Sequence, residues 1–98
     1  MDPITILYII GLALGSASVI YIAYLSLKAV RDYIRNKRTT KAVKEASFIM
    51  KKQLESGKIR VIAGFLDGKD VKEAQIWEAN EVEANIRSLP DNEITIVT

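Results

Sequence analysis

The chain of 98 residues has 14 basic and 12 acidic side chains, 49% hydrophobic residues, no cysteine and no histidine. That composition excludes disulfides, thiolate chemistry and S-acylation, and it removes the usual general base and the commonest metal ligand. The net charge of +2 hides a partition: residues 28–52 hold nine basic residues against Asp32 and Glu45, whereas residues 53–98 hold five basic and nine acidic ones.

From Pro3 to Leu27 every residue is uncharged, in the run PITILYIIGLALGSASVIYIAYLSL. About 25 residues at ~1.5 Å each make a helix of about 37 Å, longer than the ~30 Å hydrocarbon core of a bilayer. The pattern therefore predicts a single-pass transmembrane helix over residues 1–27. Pro3 suits its first turn with Asp2 as cap, and Tyr8, Tyr21 and Tyr24 suit the two headgroup interfaces. Gly11 and Gly15 form a GxxxG, and Ser18 and Ser26 extend the same face. Gly11, Gly15 and Ser18 are thus candidates for helix–helix packing, where missing side chains let two backbones approach. Ser16-Ala17-Ser18 has the small residues of a signal cleavage site, but the acidic start and the continuing apolar run favour a retained anchor.

Residues 28–56 read as a basic helical linker at the membrane surface. Lys28, Arg31, Arg35, Lys37 and Arg38 are candidates for lipid headgroup contact and, with Lys41 and Lys44, for fixing topology. They place the N-terminus outside and the C-terminal part on the cytoplasmic or stromal side of a bacterial inner, organellar or thylakoid membrane. Val30, Tyr33 and Ile34 form one apolar stripe; Ala42, Ala46, Ile49, Met50 and Leu54 form a second, which predicts an amphipathic helix over 41–55 ended by Ser56-Gly57. Whether it continues the first helix or turns away near Arg38–Lys41 stays open.

Residues 57–98 predict a small α+β tail of β-β-α-β order. Ile59, Val61, Ala63 and Phe65 alternate, and Ile62 and Leu66 make the other face apolar too, as in a strand buried on both sides. Asp67-Gly68 signals a hairpin turn. Residues 71–79 read as the returning strand, or as a helix opened by an Asp70/Glu73 capping box. A second box at Asn80 and Glu83, with Val82, Ile86 and Leu89 at helical spacing, predicts a helix. Pro90-Asp91-Asn92 ends it, and Glu93–Val97 reads as a last strand. Trp77 is a candidate anchor for a partner, or else covers the tail's core against the 41–55 helix.

Little here resembles catalytic equipment. Asp67-Gly-Lys-Asp70 lacks the third oxygen ligand and distal Glu of an EF-hand, and nothing pairs Glu73, Glu78, Glu81 and Glu83 across a pocket. There is no phosphate loop, nucleophile elbow or zinc motif. The expectation is a non-enzymatic protein with no cofactor, no metal, no nucleic acid and no small-molecule substrate. Its layout of anchor, basic collar and small tail resembles the small accessory subunits of bacterial or organellar membrane complexes. On that reading it is an accessory or assembly subunit, its helix packing through Gly11/Gly15 and its tail docking on the cytoplasmic side. Its partners would be membrane lipids and other transmembrane subunits or copies of itself. The alternatives are a self-associating ring or bundle of viral type, and a tethered adaptor that recruits a soluble partner.

Overall fold

The computed structural model describes residues 19–38, 46–67 and 70–97. Among these residues five strands and two helices follow one another: β1 (Val19–Leu25), α1 (Leu27–Arg38), β2 (Ala46–Gln53), β3 (Ile59–Asp67), β4 (Asp70–Val82), α2 (Ala84–Arg87) and β5 (Thr95–Val97). The strands form one sheet in the order β1-β4-β3-β2-β5. β1 runs parallel to β4, and the remaining pairs are antiparallel. β1 and β2 therefore run in the same direction with β4 and β3 between them, joined by a crossover that contains α1. Parallel strands need such a long connection, whereas β2, β3 and β4 follow one another as a meander.

This architecture overturns the expectation of a transmembrane helix followed by an amphipathic helix and a separate tail. Residues 19–25 of the presumed anchor are strand, and α1 begins at Leu27. Five of the seven residues of VIYIAYL are β-branched or aromatic, side chains that suit a pleated surface, and pairing from Val19↔Ile76 to Leu25↔Val82 fixes the segment there. Among the described residues no helix is long and apolar enough to cross a membrane. The single-pass membrane assignment is withdrawn, and with it the placement of the N-terminus outside and the C-terminus in the cytoplasm or stroma. Gly11, Gly15 and Ser18 lie outside the described residues.

The amphipathic helix expected over 41–55 is also corrected. Residues 46–53 form β2, paired with β3 from Ala46↔Leu66 to Gln53↔Ile59 and with β5 from Ser47↔Val97 to Ile49↔Thr95. Ser47, Phe48, Ile49 and Met50 are all buried, so both faces of the strand are apolar and tertiary pairing outweighs local helix propensity. Gly57 does adopt a left-handed conformation, φ 90°, but in the β2–β3 turn rather than at a helix end. Leu54 N–H donates to Lys58 O at 2.9 Å and Gly57 N–H to Leu54 O at 3.0 Å to close that turn.

β3 lies where the alternation places it, and residues 71–79 belong to β4. The 80–83 capping box does not form. β4 runs through to Val82, and the four-residue α2 starts after Glu83, whose side chain makes no capping bond. The helical stripe of Val30 and Ile34 is present in α1, and Ser26 caps that helix: its Oγ accepts from Ala29 N–H at 3.2 Å.

The sheet buries two apolar faces. On the first, Ile49, Val61, Ala63, Phe65, Trp77 and Ala79 meet Val30 and Ile34 of α1 and Ile86 of α2. On the second, Phe48, Met50, Ile62, Leu66 and Ile76 are at most 6% exposed, with Val19, Ala74 and Ile94 packed beside them. Such double burial explains why β2 and β3 read as near-continuous apolar runs. Gly64, at the centre of β3, lies so close to β4 that a Cβ there would stand 2.8 Å from Ala74 Cα and closer still to Glu73 O.

Candidate functional site

Two surface features stand out, one at the β1 edge of the sheet and one on the exposed side of α1. β1 is the first. Ile20, Tyr21, Ile22 and Tyr24 remain 44%, 70%, 39% and 51% exposed, although all four are large and apolar. No charged residue occurs between Val19 and Leu25, and one side of the strand's backbone has no neighbour among the described strands. Edge strands are ordinarily blunted by charge, proline, bulges or brevity, and β1 has none of these along seven residues.

The second feature is the outer face of α1. Helical spacing puts Lys28, Arg31, Arg35 and Arg38 on one stripe, which flanks the buried Val30 and Ile34. Lys28 Nζ meets Asp32 Oδ2 at 2.8 Å, and Arg35 reaches Asp32 only at 3.9 Å. The hydrogen bond from Lys28 is the main cause that holds the Asp32 carboxyl below its ordinary pKa. Lys37 leaves the stripe and pairs with Glu73 of β4 at 3.2 Å. Arg38 turns over the sheet: its guanidinium lies 5.3 Å from the Phe65 ring centroid and donates to Ser47 Oγ at 2.8 Å. The Ser47 hydroxyl is buried and donates in turn to Val97 O. Arg31, Arg35 and Arg38 thus line a cleft with Ile34, Ser47 and Val97, beside the short edge strand β5.

Trp77 is 6% exposed and offers no surface to a partner. Its ring meets Tyr33 of α1 edge to face, with centroids 5.7 Å apart and planes at 88°. It does cover the core, but beneath α1 rather than a 41–55 helix. The Tyr33 hydroxyl has no hydrogen-bond partner among the described residues, and its pKa is pushed up to about 12, mainly by burial and secondly by Glu73.

The carboxylates considered for chemistry are dispersed. Glu73 is taken by Lys37, and Glu78 by Arg60 directly across the β3–β4 ladder at 2.9 Å. Glu83 accepts from Asn85 at 3.4 Å. Among the described residues no group of three His, Cys, Asp or Glu side chains could hold a metal ion. The remaining interior polar cluster is a structural clamp. Lys51, only 11% exposed along its side chain, reaches Asp91 at 2.8 Å and Arg87 O at 3.0 Å. Asn92 N–H donates to Lys51 O at 2.9 Å, which fixes the approach to β5.

Sequence reasoning named the basic residues and missed β1, whose β-branched and aromatic content was the signal for a strand. Ser47 has no local signature at all. No protein-family model, no curated protein and no solved structure matches the chain.

Proposed function

We propose that the protein is a non-enzymatic assembly module that joins a second copy of itself edge to edge through β1. The observation that carries this reading is the outer edge of β1, which no described strand pairs, seven uncharged residues with four large apolar side chains exposed. Antiparallel pairing of two β1 strands about Ile22 sets Ile20 of each copy opposite Tyr24 of the other. Aromatic and β-branched cross-strand pairs of that kind stabilise by about 0.2–1 kcal/mol each, and the shared backbone hydrogen bonds add to them. With no charge on the strand, two copies meet without repulsion. The opposite edge, β5, is three residues long and makes a poorer template. The ion pairs of Glu73 and Glu78 support a role without catalysis, since both carboxylates already serve the fold.

Sedimentation equilibrium of the full chain tests the proposal. A dimer at micromolar concentration, converted to a monomer by Ile22→Lys or Tyr24→Lys with melting retained, is the expected result. A chain that stays monomeric at about 100 μM and co-purifies with a different protein through β1 would instead make it an accessory subunit of a mixed complex.

A further inference from the structure

We propose that residues 3–17 of the chain itself cover the second face of the sheet, the one that carries Phe48, Met50, Ile62 and Ile76. Those four side chains are 0%, 2%, 3% and 0% exposed. A sheet face reaches such burial only when another layer lies over it, because neighbouring strands shield one another's edges and not the tips of their side chains. Neither described helix supplies that layer. Val30 and Ile34 of α1 and Ile86 of α2 all pack on the first face. Among the described residues Ile94 is the one apolar side chain outside the strands that joins the second cluster. A single isoleucine is too small to hide four neighbours spread over β2, β3 and β4.

The cover is therefore drawn from the rest of the chain, which is residues 1–18, 39–45, 68–69 and 98. Residues 39–45 read TTKAVKE and bring two apolar residues with three charges. Residues 3–17 read PITILYIIGLALGSA and bring ten hydrophobic residues with no charge. They also enter from the right place: Val19, just beyond them, packs against the second cluster and pairs with Ile76. From β1 to β2 the face is three strand spacings wide, roughly 15 Å. The 15 residues exceed that span even at ~1.5 Å each, the rise of a helix. The proposed dimer is a separate matter, since its contact is the outer edge of β1.

The test is methyl NOE spectroscopy of the full chain in detergent-free buffer, with Ala, Ile, Leu, Met and Val methyls labelled. Cross-peaks from the Met50 Cε and Ile62 Cδ1 methyls to Ile and Leu methyls of residues 3–17 are expected. A mixture of labelled and unlabelled chains should assign them to one molecule. Phe48→Leu keeps an apolar side chain but removes the ring current, so it should move those 3–17 signals. Phe65→Leu, on the first face, should leave them in place. Cross-peaks to Ala42 and Val43 instead, cross-peaks only between chains, or none at all overturn the proposal. So does a chain that dissolves only with detergent and whose 3–17 methyls contact the detergent tails.

Discussion

Gly64→Ala is the most direct probe of the sheet that carries both surfaces. The added Cβ would stand 2.8 Å from Ala74 Cα, 3.0 Å from Ala74 Cβ, and nearer still to Glu73 O. Carbon atoms in contact prefer about 3.5–4.0 Å, so β3 and β4 must part locally by about 1 Å. Two of the three atoms are backbone in a paired strand and cannot swing away. Overpacking of this kind costs about 1–3 kcal/mol, and weakening a ladder hydrogen bond adds about 1 kcal/mol. The expected loss is therefore about 2–4 kcal/mol. At about 4–8 °C per kcal/mol for a chain of this size, Tm should fall by roughly 10–30 °C. Urea and thermal melts followed by circular dichroism measure both quantities. Ala74→Gly in the same chain removes the Cβ contact but leaves the two backbone contacts, so it should restore less than half of the loss. A Gly64→Ala protein that melts within about 2 °C of the parent would refute the close approach of the two strands at this point.

Three further outcomes follow from the same geometry. Gly57→Ala meets no atom within 4 Å but must hold φ near 90°, so it should cost only about 1 kcal/mol, and Gly57→Asn less, in the same melts. Tyr33→Phe removes a buried hydroxyl that has no partner among the described residues, so it should leave stability unchanged or raise it by about 1 kcal/mol; a clear loss would mean that the hydroxyl is bonded. The Asp91 carboxyl is held below its ordinary pKa, chiefly by the Lys51 hydrogen bond. Its stabilising contribution is thus complete above the unfolded value of about 3.9 and is lost as pH falls through the lower folded value. Asp91→Asn should therefore flatten the stability profile in that acidic window, and parallel profiles for parent and variant would contradict the clamp.

The parts of the fold legible in the sequence are those where neighbours along the chain decide the structure. Alternation in Ile59–Phe65 and the Asp67-Gly68 signal place the β3–β4 hairpin, and the spacing of Val30 and Ile34 places the buried stripe of α1. Residues 19–25 and 46–53 were misread for a common reason. A strand buried on both faces, or one without polar positions, has no period of two, and an apolar run then fits a helix equally well. In Phe48–Met50 the decision comes from β3 and β5, which lie later in the chain. The basic stripe could be read from helical spacing alone. The pairing of Lys37 with Glu73 and the contact of Arg38 with Ser47 could not, because the crossover and the sheet bring those residues to α1.

Val19 pairs with Ile76, 57 positions further on, whereas the β2-β3-β4 meander closes through short turns. Loop-closure entropy therefore favours assembly of the meander first, with the outermost strand added last. During synthesis at about 5–20 residues per second, the N-terminal strand leaves the ribosome several seconds before its partner exists. The described strand made first is thus among the last to be paired, and for that interval its seven uncharged residues wait for Ile76–Val82.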